Sequence, residues 1–167
     1  ITSHPQSRTN AVGTLGTFTV NATGTGPIAY QWRRDGTNLT SGPNIGGVTN
    51  SILLLTNVQV GSAAEYDVVV MNNYGSVTSL LATLTVVSPP TITLQPQSRT
   101  NVLGTAANFM VSAIGTGPLA YQWRKAGVDL ENETNAPLNF ANAQLTDAAN
   151  YDVVITNNYG TVTSAVA

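Results

Sequence analysis

Two long stretches of this chain are near copies of each other. The block GTGPIAYQWRRDG at 24–36 returns as GTGPLAYQWRKAG at 115–127, and the sequence around it aligns with itself at an offset of 91 residues. Nearer the end of each copy the offset is 85, so the first copy carries six additional residues between Gly36 and Tyr66. A repeat of this length is too long for a solenoid unit but sufficient for a small domain with its own core. Each copy is therefore predicted to fold as a domain.

The composition restricts what can hold these domains together and what they can bind. Apolar residues make up 42% of the chain, whereas charged residues make up only 8%, against about 25% in a typical soluble domain. The chain contains no cysteine, so packing and backbone pairing must stabilise both copies. A net charge of −2 creates no strong field, and no apolar run approaches the length of a membrane-spanning helix. We therefore expect no nucleic-acid partner and no membrane insertion.

Short segments with alternating apolar and polar residues, bounded by Gly, Pro or Asn, predict β-strands along the whole chain. One of them runs through Phe18 and Val20. Residues 52–58 predict a more continuous apolar strand, and a tight hairpin at 72–75 leads into a predicted strand at 76–87. About seven such strands per copy predict an all-β fold class, with two antiparallel β-sandwiches in tandem.

The two copies are joined by a short segment with two consecutive prolines, Pro89 and Pro90. Proline lacks an N–H donor and favours extended backbone, so we predict a semi-rigid connection. The predicted domains are residues 1–88 and 89–167, arranged as an elongated pair.

The spacing of tryptophan, tyrosine and hairpin resembles the immunoglobulin-like fold of the I-set type. That family carries a Cys in strand B, a Trp in strand C, a Tyr-x-Cys in strand F and an Asn-x-x-Gly hairpin into strand G. Both copies keep the Trp, the Tyr and the hairpin but have valine at each cysteine position. The core residues that the resemblance implies are Val20, Trp32, Tyr66 and Val68, with Val111, Trp123, Tyr151 and Val153 in the second copy. The chain is most similar to the cysteine-free immunoglobulin-like repeats of large bacterial surface and secreted proteins.

The two copies differ in length at their ends. The second copy stops at Ala167, which aligns with Ala82, whereas the first continues through the strand-forming residues Thr83–Val87. We expect this if the sequence is a window out of a longer array, with the last strand of the second domain truncated. An open strand edge invites a pairing partner because it exposes backbone N–H and C=O groups.

The side chains that catalysis and metal binding require are scarce. His4 is the only histidine and Gln95 replaces it in the second copy, so neither a catalytic triad nor a multi-histidine metal site is available. The tightest acidic cluster, residues 129–133, lacks the glycine-punctuated pattern of a calcium loop, and we interpret it as a solvated loop. We predict no enzymatic activity, no cofactor and no metal.

Two carboxylates on the predicted F strands have arginine partners on the predicted C strands. Asp67 should face Arg33, and Asp152 should face Arg124. We expect exposed cross-strand ion pairs, each worth about 0–1 kcal/mol, that assist strand register and little else.

Two tyrosines at hairpin tips, Tyr74 and Tyr159, are the candidates for contact with another molecule. An exposed ring beside asparagine could stack on a sugar and make the chain adhesive. The alternative is structural, because in this fold the B–C and F–G loops face the preceding domain. Tyr159 and Pro118 would then pack on the neighbouring repeat near residues 60–64. The tip sequence is the same in both copies, which favours the structural interpretation.

These patterns predict a non-enzymatic structural or adhesive extracellular module, a segment of a repeat array that forms a surface stalk, fibre or adhesin. Its expected location is the bacterial cell surface. Its expected partners are neighbouring repeats of the same protein, further copies in a fibre, and a glycan or surface-protein ligand. The alternative is a ligand-binding accessory module of a secreted multidomain enzyme whose catalytic part lies outside this sequence.

Overall fold

The computed structural model describes residues 1–167, and the chain divides into two compact units. Unit 1 comprises Ile1–Val87 and unit 2 comprises Ser88–Ala167. Ser88 therefore belongs to unit 2, whereas the predicted boundary placed it in the first domain. Both units consist of short strands with one 3-10 turn each, Val60–Ser62 and Leu145–Asp147, which confirms the all-β prediction. The chain has no helix long and apolar enough to cross a membrane.

Unit 1 contains nine strands in two sheets. They are β1 (Arg8–Ala11), β2 (Gly16–Thr19), β3 (Ala29–Arg34), β4 (Thr37–Asn38), β5 (Ile45–Gly46), β6 (Ile52–Leu55), β7 (Ala64–Asn72), β8 (Gly75–Thr78) and β9 (Ala82–Val87). The larger sheet has the order β1–β9–β7–β3–β4, with β8 also paired to β7, and the smaller sheet has the order β2–β6–β5. The β1–β9 pair is parallel, with Arg8 opposite Leu84 and Ala11 opposite Val87. This pair joins the beginning of unit 1 to its end.

Unit 2 contains eight strands with a related arrangement. They are β10 (Thr91–Leu94), β11 (Ala107–Phe109), β12 (Ser112–Ile114), β13 (Ala120–Lys125), β14 (Val128–Asp129), β15 (Leu138–Phe140), β16 (Tyr151–Asn157) and β17 (Gly160–Thr163). One sheet has the order β14–β13–β16–β17, while β10 pairs with β12 and β11 pairs with β15. Residues 99–102, which align with β1, do not form a strand. The sequence ends at Ala167, which aligns with Ala82, the first residue of β9, so the partner strand of a parallel β1–β9 pair is not part of the second copy.

A buried tryptophan lies at the centre of each core. Trp32 is 0% exposed, and its ring centroid lies 6.2 Å from that of Phe18, which stacks on Tyr66 at 5.0 Å. The same contacts recur in unit 2 at 6.2 Å and 5.1 Å, between Phe109 and its neighbours Trp123 and Tyr151. The repeated sequence block thus builds one aromatic arrangement twice.

Valines occupy the four positions at which the resembled family has cysteine. Val20, Val68 and Val153 are 0% exposed and Val111 is 4% exposed, and all four belong to the two apolar cores. Full burial of a side chain of this size contributes about 1.5–3 kcal/mol. Packing of apolar side chains therefore takes the place of a covalent link between the sheets.

The strand predicted at 76–87 is in fact two strands, β8 and β9, separated at Ser79. The Oγ atom of Ser79 accepts a hydrogen bond from Val68 N at 3.1 Å, and Ser79 N donates to Val68 O at 2.9 Å. The register against β7 shifts across this point. Ser164 makes the same two bonds with Val153 in unit 2, at 3.0 Å and 2.9 Å. A buried serine directly follows β8 in unit 1 and β17 in unit 2, and its side chain takes a backbone donor that strand pairing would otherwise use.

The prediction of a continuous apolar strand at 52–58 is also wrong. The strand covers only Ile52–Leu55, in which Leu53 and Leu55 are buried while Ile52 and Leu54 are 43% and 39% exposed. Only one face of β6 packs on the core, so its outward leucine and isoleucine remain in contact with solvent. The six additional residues of the first copy lie in the region of β5, which pairs with β6 and has no equivalent in unit 2.

Candidate functional site

Each unit has one end at which the predicted contact residues gather, and we call it the loop end. In unit 1 it consists of residues 23–28 and 72–75, and in unit 2 of residues 114–119 and 157–160. In both units it combines the loop before the tryptophan strand with a two-residue hairpin turn. The sequences GTGP and NNYG, which are the same in both copies, supply most of these residues.

In unit 1 a single asparagine organises the loop end. Asn72 Oδ1 accepts a hydrogen bond from Tyr74 N at 2.9 Å, which holds the hairpin turn, and Asn72 Nδ2 donates to Thr25 O at 2.8 Å. The Tyr74 side chain is 82% exposed. It lies beside a groove of about 310 Å³, whose lining includes Gly24, Ile28, Met71 and Gly75. The ring is therefore free to contact another molecule.

In unit 2 the equivalent asparagine also binds the chain segment that enters the unit. Asn157 Nδ2 donates to Thr116 O at 2.7 Å and to Ser88 O at 2.9 Å. Ser88 N donates to Thr116 Oγ1 at 2.8 Å, and Thr116 N donates to Ser88 O at 3.1 Å. Both backbone polar groups of Ser88 are thus satisfied by the loop end, so this segment is part of the folded unit.

Close packing of proline on glycine completes this contact. A Cβ atom built on Gly160 would lie 2.8 Å from Pro89 Cβ, and one on Gly115 would lie 3.0 Å from Pro89 O. A distance of 2.8 Å is one that real Cβ atoms essentially never show, and 3.0 Å is tighter than nearly all real Cβ contacts. Glycine at these two positions therefore allows the linker to lie directly on the loop end.

The predicted contact residues lie at the loop end, but the sequence analysis missed the residues that bind the linker. Tyr159 is 46% exposed at the hairpin tip, and Pro118 is exposed and follows a cis peptide bond. Their packing on a neighbouring repeat stays a prediction. Asn157 and Thr116 bind the linker instead, and a signal was present, because both residues recur in both copies.

The two arginine–aspartate pairs form as predicted but are less exposed than expected. Arg33 Nε and Nη2 donate to the two carboxylate oxygens of Asp67 at 2.8 Å and 2.6 Å, and Arg124 binds Asp152 at 2.7 Å and 2.7 Å. The Asp67 side chain is only 8% exposed and that of Asp152 14%. The expectation of exposed pairs is therefore wrong for the carboxylates, which lie beneath the longer arginine side chains. The hydrogen bonds to Asp67 raise the pKa of Arg33 above its ordinary value, so this pair is a fixed structural contact.

The only histidine has a structural contact that its counterpart reproduces. His4 Nδ1 accepts a hydrogen bond from Leu80 N at 3.1 Å, and Gln95 Oε1 accepts one from Ala165 N at 2.9 Å. An imidazole nitrogen and an amide oxygen thus perform the same task in the two units. No group of three or more His, Cys, Asp or Glu side chains lies close enough to hold a metal ion.

Comparison with known proteins identifies the family. Residues 1–86 match the family model described as the immunoglobulin I-set domain, and residues 89–157 match the model described as an immunoglobulin domain. The human peroxidasin homolog is 29% identical over 163 residues, which cover 93% of this chain and 11% of that protein. Human IgLON family member 5 is 32% identical over 121 residues, which cover 65% of this chain and 36% of that protein. This chain is therefore much shorter than the relatives it matches.

Solved structures agree on the fold. The crystal structure of the four N-terminal immunoglobulin domains of Dscam1 isoform 6.9 matches with a TM-score of 0.75 and 18% identity, over 97% of this chain and 42% of that one. At this identity the likeness speaks for the fold alone, which confirms the prediction of two immunoglobulin-like sandwiches in tandem. Domains of this kind are generally non-catalytic. The sequence match, the buried tryptophans and the shared topology show that this chain belongs to the immunoglobulin I-set domain family.

Proposed function

We propose that the chain is a non-enzymatic structural module that bears tension within an extracellular repeat array, such as a stalk, fibre or adhesin. The observation that carries this proposal is the parallel pairing of β1 with β9 in unit 1. β1 is the first strand of the unit and β9 is the last, so a pull on the two ends of the unit reaches this pair once the short bridge between Ser3 and Asn21 has opened.

The direction of the strands determines how they respond to such a pull. Tension draws β1 towards its N-terminal end and β9 towards its C-terminal end. Because the strands are parallel, these two forces slide them past each other, and the evenly spaced hydrogen bonds between them share the load. Antiparallel terminal strands at a free edge would separate one bond at a time. This geometry supports a role in resisting extension.

The bound linker supports the same role. Val87 is the last residue of β9, and the next residue, Ser88, is already hydrogen-bonded within unit 2. The chain therefore passes from one unit to the other with no free residues between them. A connection of this kind adds little slack to an array under tension.

Single-molecule stretching of the chain between its two ends tests this proposal. We expect two unfolding events, each releasing roughly 80 residues and hence roughly 290 Å of extended chain. Unit 1 should unfold at the higher force, because only unit 1 has the parallel terminal pair. Equal forces for the two events would contradict the proposal.

A matched pair of variants shows which unit unfolds at the larger force. Val12 N donates a hydrogen bond to Val87 O at 2.9 Å, just beyond the β1–β9 pair, and Gly13 after it has φ 83°. This is the turn geometry in which proline is accepted at the preceding position. Val12→Pro should lower the larger unfolding force, and Leu103→Pro, at the aligned position of unit 2, should not change it. A larger force that is insensitive to Val12→Pro would contradict the assignment.

The wider context of this module is part of the proposal. We place it at a bacterial cell surface, with neighbouring repeats of the same protein as its partners and further copies in a fibre. The support is the absence of cysteine, which the resembled bacterial repeats share. The relatives described above are human proteins, so they do not bear on a bacterial source. Detection of the parent protein on intact cells with an antibody against unit 1 tests the location.

One observation favours a second candidate function, the binding of a glycan or surface protein by an accessory module of a larger secreted protein. Tyr74 is 82% exposed beside the groove of the unit 1 loop end, whereas Tyr159 is 46% exposed. If this function is correct, a glycan array should give signals that Tyr74→Ala removes and Tyr159→Ala does not. Signals that are absent or equally sensitive to both variants would reject the binding of a glycan at this site.

A further inference from the structure

Unit 1 carries an open apolar groove beside β6, formed by residues between 28 and 54. The groove has a volume of about 650 Å³, and its apolar lining consists of Ile28, Tyr30, Ile52 and Leu54. Ile52 and Leu54 are 43% and 39% exposed, because they alternate along β6 with residues that face the core. No charged side chain lines the groove. A concave, mostly apolar surface with a few polar groups is typical of a binding site.

This groove is specific to unit 1. At the positions of Ile52 and Leu54, unit 2 has Pro137 and Asn139. Gly46 of β5 pairs with Leu54 and has no side chain to cover it, and β5 itself has no equivalent in unit 2. The six additional residues of the first copy thus frame the groove and leave its apolar side chains accessible.

Unit 2 has a different apolar surface on the outer side of β10 and β12. It consists of Leu94, Met110 and Ile114, which are 48%, 56% and 63% exposed, and we call these three residues the apolar patch. Met110 and Ile114 alternate along the chain with core residues, and the register of β10 places Leu94 opposite Ser112, between them. Their side chains therefore point to the same face, away from the core.

The patch positions are exposed in both units. In unit 1 they hold Ser3, Thr19 and Thr23, which are exposed although unit 1 includes the whole of β9. The outward direction is thus a property of these strands, and a strand equivalent to β9 would not cover the patch in unit 2. Only unit 2 places large apolar side chains there, and a group of exposed apolar side chains marks a site of interaction.

We propose that the groove of unit 1 binds the apolar patch of unit 2 from a second copy of this chain. This inference rests on the proposed structural function, since it names the surfaces through which copies associate in a fibre. Met110 enters the groove, because its unbranched and flexible side chain adapts to an irregular apolar surface. Leu94 and Ile114 pack beside it.

The charges of the two surfaces favour this partner. Neither the groove nor the strands β10 and β12 contain a charged side chain. Arg99 lies near Met110, but it donates to the backbone and side-chain oxygens of Asn108, so its charge is engaged within unit 2. Contact between copies therefore buries apolar surface without burying an unpaired charge. A net charge of −2 also creates little repulsion between two chains.

The two surfaces lie in different units, so each copy can bind one neighbour and be bound by another. Contacts between unlike surfaces build a ring or an open filament, whereas contacts between like surfaces stop at a pair. Two grooves that faced each other would enclose a void, and a void loses the contacts that packing provides. The pairing of groove with patch is therefore favoured over the pairing of groove with groove.

Sedimentation equilibrium of the 167-residue chain from about 10 μM to about 1 mM, the range of weak association, tests the proposal. We expect the mean mass to rise with concentration. Leu54→Lys and Met110→Lys should each weaken association at least about tenfold, because each brings a charge into an apolar contact. Leu81→Lys adds the same charge at a leucine that is 55% exposed and outside both surfaces, so it should have no effect. A chain that stays monomeric, or equal association of all three variants, would overturn the proposal.

A mixture of two variants tests whether the groove and the patch are partners. Leu54→Lys keeps an intact patch, and Met110→Lys keeps an intact groove. Their equimolar mixture should therefore regain association, and it should stop at pairs of chains. A mixture that stays monomeric would overturn the proposal, as would association that only one of the two variants weakens. Stretching of a single chain involves no second copy, so failure of this test leaves the unfolding forces of the proposed function unaffected.

Discussion

Units 1 and 2 share the centre of their fold and differ at one edge. Both have a buried tryptophan with the ring of a phenylalanine at 6.2 Å, and a buried serine that binds the amide of the neighbouring strand. Only unit 1 joins its first and last strands, through the β1–β9 pair. The comparison teaches that the repeated pattern forms the core even without its last strand, whereas closure of the sandwich requires the residues that follow Ala82 in the first copy, such as Leu84, which pairs with Arg8.

This difference at the edge predicts that unit 1 has a larger free energy of unfolding than unit 2, although the two cores are nearly the same. Unit 1 buries Leu84 and gains the backbone bonds of a parallel pair, and unit 2 keeps an apolar cleft of about 260 Å³. Burial of one leucine side chain contributes about 1.5–3 kcal/mol. Against a total of about 5–15 kcal/mol for a typical domain, this is a substantial share.

The largest expected effect tests what the two units share. Trp32→Ala and Trp123→Ala should each lower the free energy of unfolding of their own unit by about 3–5 kcal/mol, because both rings are fully buried. Circular dichroism in a denaturant titration follows the altered unit, and the fluorescence of the one remaining tryptophan reports on the other unit as the internal control. A loss below 1 kcal/mol for either variant would break the claim of a common core.

The second prediction tests the edge at which the units differ. Leu84→Ala should destabilise unit 1 by about 2–5 kcal/mol, because it leaves a cavity at the position where unit 2 has its cleft. Unit 2 should not change. The control is Leu81→Ala, since Leu81 is 55% exposed and its removal should cost less than about 0.5 kcal/mol. If Leu84→Ala and Leu81→Ala had equal effects in denaturant titrations, the packing role of Leu84 would be refuted.

The third prediction concerns the repeated ion pair. Asp67→Asn should cost unit 1 about 1–3 kcal/mol, because the carboxylate accepts two charged hydrogen bonds and is only 8% exposed. Asp152→Asn should cost unit 2 less, since Asp152 is 14% exposed. Thermal unfolding of both variants measures the two losses. A greater loss for Asp152→Asn would contradict the ranking by burial.

The smallest effect is a pH dependence that both units should share. Burial raises the pKa of Tyr66 and Tyr151 above the ordinary value of about 10. Above that pH the unfolded chain has released a proton that the folded chain keeps, so the free energy of unfolding falls as the pH rises. Below the ordinary pKa of tyrosine, these two side chains do not change how the free energy of unfolding depends on pH. Denaturant titrations between pH 8 and 11 should show this fall, which amounts to about 1.4 kcal/mol for each unit by which the pKa is raised. The variant Tyr66→Phe should reduce the fall for unit 1 only.

Much of the fold could be predicted from the sequence because the core signals are local. The alternation around Trp32 and around Val68 places apolar residues on one face, and the structure buries them. The depth of Asp67 could not be predicted, because it depends on how the Arg33 side chain lies over it. The same holds for Ser79, whose bond to Val68 N arises only once the two strands are paired.

The candidate site was only partly predictable for a similar reason. The hairpin tips with Tyr74 and Tyr159 follow from the turn sequence. The bond from Asn157 to Ser88 joins residues 69 positions apart, and no local pattern records it. Comparison of the two copies is the one signal that points to it, because Asn157 and Thr116 recur as Asn72 and Thr25.

Native-state hydrogen exchange at two aligned amides tests most directly whether the closed edge makes unit 1 the more stable unit. Val68 N and Val153 N each donate to a buried serine Oγ, at 3.1 Å and 3.0 Å, so their local chemistry is matched. Both amides lie in an interior strand of their sheet, β7 or β16, and exchange when the unit opens. If the two units share a core but only unit 1 is closed at its edge, the Val153 amide should exchange at least about tenfold faster than the Val68 amide. Exchange of Val153 at the same rate as Val68, or more slowly, would contradict it.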